Sequence, residues 1–291
     1  MADLAEVFEH AAVLWTAVFV FGLLIGSFLN VVILRTPPRL EFAWRREARE
    51  ILELPESEAA QPPGLVADRS RCPKCAHQLS WYENIPVLSY AVLRGRCRSC
   101  KSPISVQYPL VELLTGVASM AVIAHFGSGW EGGIALILTW LLIAASGIDF
   151  RTTLLPDQFT LPALWLGLLA AATASLYVPP AQAIWGAALG YLSLWSVYWL
   201  FKLVTGKEGM GFGDFKLLAA LGAFVGPQGL IPIVLMSSLV GAVIGSAILI
   251  AKGRDRQTPI PFGPFLAIAG WLQFLYGDWI IATYKRTMGF Y

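Results

Sequence analysis

The stretch GMGFGDFKLLAALGAFVG, residues 209–226, places a carboxylate at the start of an apolar segment. Asp214 and Lys216 stand near its beginning, and glycines at positions 206, 209, 211 and 213 precede Asp214. The apolar part suits a lipid bilayer, in which charged side chains are costly and mark functional positions. The stretch therefore predicts a membrane helix with a carboxylate at one end.

The whole chain has the composition of a membrane protein. Its 291 residues are 56% hydrophobic and only 14% charged, which excludes an ordinary soluble domain. About 20 apolar residues span a bilayer as a helix, because backbone groups cannot stay unpaired in hydrocarbon. We therefore predict an all-α polytopic membrane protein with about eight transmembrane helices. The predicted spans are 12–34, 108–126, 132–149, 158–178, 182–204, 214–227, 229–251 and 261–283.

The distribution of positive charge predicts the orientation of these helices. The segment 35–108 holds 12 of the 21 Lys and Arg residues, and cytoplasmic loops carry such an excess. Only Lys285 and Arg286 oppose this orientation. Eight acidic residues lie in the same segment, so it does not predict nucleic-acid binding. We expect three regions, namely a first transmembrane helix in 1–34, a cytoplasmic loop in 35–107 and a transmembrane bundle in 108–291.

All four cysteines lie in the predicted loop as two C-x2-C pairs, Cys72 with Cys75 and Cys97 with Cys100. Four thiolates with this spacing are typical of a tetrahedral zinc site, and four ligands leave no coordination position for a substrate. Disulfides are the alternative, but cytoplasmic thiols stay reduced. We therefore predict a small zinc-knuckle domain with a structural metal, to which the nearby His77 is not a ligand.

Three aspartates lie at the edges of predicted spans: Asp149, Asp157 and Asp214. Asp157 and Asp214 begin apolar segments, where an aspartate is a favoured N-cap. Asp149 ends a segment, where its charge opposes the helix dipole, so capping does not explain it. On the predicted topology Asp149 and Asp214 lie at the same membrane face. Two close carboxylates share one proton and can act as acid and base, which is the chemistry of aspartic peptide hydrolysis.

Other residues near Asp214 fit this hypothesis. Gly211 and Gly213 leave room for an extended substrate backbone, although loop flexibility also explains them. Lys216 opposes the dipole of its helix, so we expect a compensating partner, for which Asp214 is one candidate. An ion-coupled transporter with carboxylates between broken helices is the alternative function, but it does not explain the cysteine pairs. A membrane scaffold that docks a partner through those pairs leaves Asp149 without a role.

Five motifs follow one another along the chain. They are GSFLNVVILRTP (26–37), RCPKCAHQLSWYENIPVLSY (71–90), RGRCRSCKSPISVQYPLVELLTG (94–116), GIDFRTTLLPDQFTLP (147–162) and GMGFGDFK (209–216). The last contains the G-x-G-D of membrane aspartyl proteases. Together, in this order, the motifs resemble the type 4 prepilin leader peptidase/N-methyltransferase family, and the resemblance covers almost the whole chain.

The resemblance implies a bifunctional enzyme. Such enzymes cleave the leader of type 4 prepilins and pseudopilins at the cytoplasmic face of a bacterial-type inner membrane. They then methylate the new N-terminus with S-adenosylmethionine. By this resemblance Asp149 and Asp214 are the catalytic aspartates, and the four cysteines are the zinc-type ligands. The loop contains no glycine-rich nucleotide motif, so the sequence does not predict which residues bind S-adenosylmethionine.

Overall fold

The computed structural model describes residues 4–55, 60–174, 176–252 and 261–287. Within these ranges the chain is helical, and its only extended pairing is two isolated bridges, Arg71–Gln78 and Arg96–Pro103. The predicted all-α class is confirmed. The helices are α1 (Leu4–Ile51), α2 (Leu88–Val92), α3 (Gln107–Phe126), α4 (Trp130–Thr152), α5 (Asp157–Ala174), α6 (Pro180–Thr205), α7 (Phe212–Lys252) and α8 (Gly263–Thr287), with a 3-10 turn at Trp81–Asn84.

Six of these helices are long and apolar enough to cross a membrane, judged over the described residues by length and composition. They are α1, α3, α4, α6, α7 and α8. The 18-residue helix α5 is not among them. Helix α7 counts once, although Gly226 (φ 68°, ψ −179°) interrupts its helical backbone just before Pro227. The two parts of α7 correspond to the predicted spans 214–227 and 229–251. Each of the eight predicted spans therefore corresponds to a helical segment of the structure.

Helix α1 continues far beyond the predicted end of the first span at residue 34. It has 48 residues, which correspond to about 72 Å at 1.5 Å per residue, whereas the hydrocarbon core is about 30 Å thick. Pro37 and Pro38 lie inside it. A helix of this length extends past the bilayer, and its second part carries the charged residues of the segment 39–50.

The chain divides into two compact units, one up to Ala124 and one from His125 onward. In the first unit α1 and α3 pack backbone against backbone. A Cβ placed on Gly22 would lie 2.8 Å from the Cα of Gly116, and one on Gly26 would lie 2.7 Å from the Cα of Glu112. Small residues spaced by four positions allow this close approach between membrane helices.

In the second unit α6 and α7 pack with equally close backbones. A Cβ on Gly222 would collide with the carbonyl oxygen of Gly186, and one on Gly190 would lie 2.7 Å from the carbonyl oxygen of Leu218. The first part of α7 forms the centre of this unit. Its fully buried side chains include Phe215, Leu217, Leu218, Ala220, Leu221, Ala223 and Phe224. The segment that carries Asp214 is therefore fixed by its neighbours.

We expect Gly222→Ala to destabilise the second unit by about 1–3 kcal/mol, because an added methyl group must push two helix backbones apart. Gly133→Ala in α4 is the matched control, since nothing lies within 4 Å of its Cβ position. Alanine there is neutral or slightly stabilising, by at most about 1 kcal/mol. Denaturant unfolding of both variants in detergent micelles checks this. Equal stability of the two variants would contradict the proposed close packing.

Candidate active site

Asp149 lies in the last turn of α4, at a helix end as the sequence indicated. Its side chain is buried, with 4% of its surface exposed. The helix closes at Thr153, whose left-handed conformation (φ 54°) lets its N–H donate to the Asp149 carbonyl oxygen at 2.8 Å. The carboxylate Oδ2 accepts a hydrogen bond from the backbone N–H of Gly263 at 2.9 Å. This bond holds the carboxylate against the first residue of α8.

Asp214 lies inside the first turn of α7 and is not its N-cap, because the helix begins two residues earlier, at Phe212. Its side chain is 7% exposed. Its backbone N–H donates to the carbonyl oxygen of Gly211 at 3.2 Å. Its Oδ1 is buried and has no hydrogen-bond partner among the described residues. Burial of such an oxygen is unfavourable unless a proton, a water molecule or a ligand satisfies it.

Leu155, in the turn between α4 and α5, lies against α7, which carries Asp214, and against α8, whose first residue is hydrogen-bonded to Asp149. A Cβ on Gly213 would lie 2.5 Å from the Leu155 Cβ. A Cβ on Gly263 would lie 2.8 Å from the Leu155 Cδ1 and 2.6 Å from the Asp149 Oδ2. A side chain at Gly213 would therefore collide with the Leu155 backbone, and one at Gly263 would displace the Asp149 carboxylate and the Leu155 side chain.

The structure brings Asp149 and Asp214 to the same end of the second unit. The Leu155 contacts link Gly213, beside Asp214, to Gly263, which is hydrogen-bonded to Asp149. Both side chains are buried there. Two buried carboxyl groups in this relation can share a proton and can serve as acid and base.

The two glycines of the motif have different surroundings. Gly213 is packed against Leu155, which gives its lack of a side chain a structural reason. Around Gly211 the space is open, since the nearest atom to an added Cβ is the Asp214 Oδ2 at 3.8 Å. Of the two, only Gly211 offers the room for an approaching backbone that the sequence suggested for both.

Lys216 forms an ion pair with Asp157. Asp214, the candidate that the sequence suggested for compensating the lysine charge, is not its partner. Its Nζ lies 2.6 Å and 2.7 Å from the two Asp157 carboxylate oxygens. Residues at i and i+2 point to different sides of a helix, which explains why Asp214 is not the partner. Sequence reasoning treated Asp157 only as a helix cap and missed this ion pair. The unfavourable dipole position of Lys216 was the available signal.

In the first unit the four cysteines converge. Their sulfur atoms all lie within 4.8 Å of one another, with Cys72 and Cys100 3.8 Å apart and Cys75 and Cys97 3.9 Å apart. None of them forms a disulfide. The two C-x2-C turns have the same backbone hydrogen bond. The N–H of Cys72 donates to the carbonyl oxygen of His77, and the N–H of Cys97 donates to that of Ser102. The cluster could hold one metal ion.

The thiols of the cluster are in different electrostatic surroundings. Hydrogen bonds from the backbone N–H groups of Cys75 and Lys74 lower the pKa of the Cys72 thiol to about 6, whereas the pKa of the Cys75 thiol is raised to about 11, because a backbone hydrogen bond is outweighed by burial and the neighbouring sulfur atoms. The thiolate, which a lowered pKa favours, is the form that binds metals. His77 lies outside the cluster, and its Nε2 is 3.2 Å from the Oε2 of the buried Glu83. A hydrogen bond from the Ser80 N–H lowers the pKa of the Glu83 carboxyl, and His77 adds to the effect.

The fold and the site define a multi-pass membrane protein with a candidate acid–base pair of buried aspartates in one unit and a four-cysteine cluster in the other. Comparison with known proteins agrees with this class. Residues 20–126 match the family model of the bacterial peptidase A24 N-terminal domain. Residues 136–246 match that of the type IV leader peptidase family.

Curated relatives match over nearly the whole chain. The prepilin leader peptidase/N-methyltransferase of Xanthomonas campestris pv. campestris is 57% identical over 281 residues, which cover 97% of this chain and 98% of the relative. The proteins of the same name from Stutzerimonas stutzeri and Pseudomonas aeruginosa are 55% and 51% identical. They cover 92% and 97% of this chain, and 92% and 97% of their own lengths. The comparison with solved structures found no match.

The chain belongs to the type IV leader peptidase family. The family resemblance inferred from the motifs is therefore confirmed. The comparisons give no support to an ion-coupled transporter, which was the alternative from the sequence.

We expect the purified protein to contain about one metal ion per chain, since four thiolates complete one tetrahedral site. Cys72→Ser should lose most of this metal, because it removes one of the four ligands. His77→Ala is the matched control and should keep it, because the ring faces Glu83. Inductively coupled plasma mass spectrometry of protein purified under reducing conditions measures the content. A metal-free wild-type protein, or loss of metal in the His77 variant, would contradict the assignment.

Proposed function

We propose that this protein cleaves the leader peptide of type 4 prepilins and pseudopilins and methylates the new N-terminus, with Asp149 and Asp214 as the catalytic pair. The observation that carries the proposal is the burial of both carboxyl groups at one end of the second unit. Membership of the type IV leader peptidase family supports it. So does the name of the relatives, prepilin leader peptidase/N-methyltransferase.

The reaction uses one proton shared by the pair. The ionised carboxylate removes a proton from a water molecule, whose oxygen adds to the carbonyl carbon of the scissile peptide bond. The protonated carboxyl group donates its proton to the carbonyl oxygen. The tetrahedral intermediate then loses a hydroxyl proton to one carboxylate, while the other carboxyl group protonates the leaving nitrogen and the C–N bond breaks. The pair ends with one proton, as it began.

Several features of the site suit this reaction. The unpartnered Oδ1 of Asp214 is available to hold the proton or the water molecule. The open space at Gly211 admits an extended peptide backbone beside Asp214. Gly263 fixes Asp149 through a backbone N–H, which keeps one member of the pair oriented without a second side chain. These arrangements support Gly211 as a residue that assists the pair, and the packing of Gly213 against Leu155 supports it as a residue that places Asp214.

We infer that the four cysteines, Cys72, Cys75, Cys97 and Cys100, bind zinc. Zn–S bonds of about 2.3 Å place the sulfurs of a tetrahedron about 3.8 Å apart. The separations of 3.8 Å and 3.9 Å agree with this geometry. When bound, zinc joins the two knuckles and has no open position for a substrate, so its role is structural. S-adenosylmethionine is the methyl donor that we infer from the family resemblance.

We further infer that the protein lies in a bacterial inner membrane with the segment 35–107 in the cytoplasm. The excess of Lys and Arg in that segment supports this orientation. A four-cysteine metal site agrees with it, because thiols persist in the cytoplasm. The prepilin is a membrane-inserted substrate, so its scissile bond can reach carboxylates at the end of the second unit.

We expect Asp149→Asn and Asp214→Asn each to reduce leader cleavage by about 10²–10⁴-fold, because each removes one acid–base partner. Asp278→Asn, an exposed carboxylate of α8, is the matched control and should cleave normally. Mass spectrometry of a synthetic prepilin, incubated with and without S-adenosylmethionine, measures cleavage and methyl transfer together. Undiminished cleavage by either variant would overturn the assignment of the pair.

We expect Gly263→Ala to reduce cleavage by about 10²-fold, because its Cβ would lie 2.6 Å from the Asp149 Oδ2 and would displace the carboxylate. The same assay measures this, with Gly133→Ala as the control. A fully active Gly263 variant would show that the position of Asp149 against α8 is unimportant for cleavage.

A further inference from the structure

The ion pair between Lys216 and Asp157 has no part in the chemistry described above. Lys216 Nζ lies within 2.7 Å of both carboxylate oxygens of Asp157, so the lysine engages the whole carboxylate. The two side chains are 29% and 53% exposed. Ion pairs with this exposure contribute little to stability. We therefore seek the role of the Lys216–Asp157 ion pair in its position and not in its contribution to stability.

The ion pair joins the first turns of two helices. Lys216 is in α7 and Asp157 is the first residue of α5. The positive ends of both helix dipoles lie here. The positive charge of Lys216 is therefore unfavourable at this position unless an anion compensates it, whereas the negative charge of Asp157 is favourable at the start of α5. The pair thereby ties the start of α5 to the start of α7, two residues after Asp214.

The same ion pair fixes the α4–α5 turn, which contacts α7, the helix that carries Asp214, and α8, the helix whose first residue is hydrogen-bonded to Asp149. Asp157 follows Leu155 by two residues, and Leu155 packs against Gly213 of α7 and Gly263 of α8. The other end of the turn is fixed by Thr153, whose N–H donates to the carbonyl oxygen of Asp149. The turn is therefore anchored once beside Asp149 and once, through the ion pair, beside Asp214.

We propose that Lys216 and Asp157 are positioning residues for cleavage, whose ion pair fixes the α4–α5 turn so that Leu155 holds Asp149 and Asp214 at their working separation. The inference rests on the proposed peptidase function. Neither residue transfers a proton to the substrate in this role. Loss of the pair lets the turn shift, which misaligns the two carboxyl groups and lowers the rate of the chemical step.

The pair can be tested with the full-length protein in detergent or nanodiscs and a synthetic prepilin. We expect Asp157→Asn and Lys216→Met each to lower kcat by about 10–100-fold with KM unchanged, because misplacement of reacting groups slows the chemical step. The double variant should lose no more than either single variant, since both remove one interaction. Exchange of the two charges, Asp157→Lys with Lys216→Asp, should restore most of kcat.

Glu41→Gln is the matched control, because it breaks an exposed ion pair with Arg45 in the other unit, at 2.5 Å, and should leave kcat unchanged. Denaturant unfolding should show the same midpoint for all variants, which separates positioning from stability. Wild-type kcat in either single variant, additive losses in the double variant, or a raised KM with normal kcat would each overturn the inference. Absence of cleavage by the wild-type protein would overturn the proposed function and this inference with it.

Discussion

The burial of two carboxyl groups at one end of an apolar helix bundle is the constraint on which the second unit depends. Each group is at most 7% exposed, so neither is solvated by bulk water. Asp149 is satisfied by a backbone N–H from α8, while Asp214 keeps one oxygen unpartnered within the described part of the chain. The positive charge nearest to Asp214 in sequence, on Lys216, is paired with Asp157. Lys216 therefore does not hold Asp214 permanently ionised, and Asp214 can take up a shared proton.

Close backbone contact is the means by which the helices meet this constraint. Gly213 and Gly263 allow the α4–α5 turn to lie against α7 and α8, and Gly186 and Gly222 allow α6 to lie against α7. A side chain at these positions would push the α4–α5 turn away from α7 or α8, or would separate α6 from α7, the helix that carries Asp214. In the first unit, glycines likewise bring the backbones of α1 and α3 together. The part of the chain that connects these helices has little apolar core, and the four cysteines converge there. Each unit therefore has its own stabilising contacts.

Sequence reasoning predicted the features that depend on local pattern. Apolar segment lengths predicted the membrane class, cysteine spacing predicted the cluster, and the helix-end position of Asp149 distinguished it from a cap. Features that depend on distant contacts were missed. Gly263 is 114 residues from Asp149, and no periodicity connects them. Lys216 has the compensating partner that its position predicted, but this partner is Asp157 and not the candidate Asp214, because the contact depends on how α5 packs against α7. Helix α1 also continues through Pro37 and Pro38, where a break is normally expected.

The central claim is that Asp149 and Asp214 act as one unit in the cleavage of a prepilin. Its most direct test is the single-turnover cleavage rate of a synthetic prepilin by the Asp149→Asn and Asp214→Asn variants and by the variant that carries both changes. Residues that act as a unit are strongly non-additive. The account predicts that the double variant retains the same residual rate as each single variant. A double variant whose loss is the product of the two single losses would show that the aspartates act independently and would contradict the account.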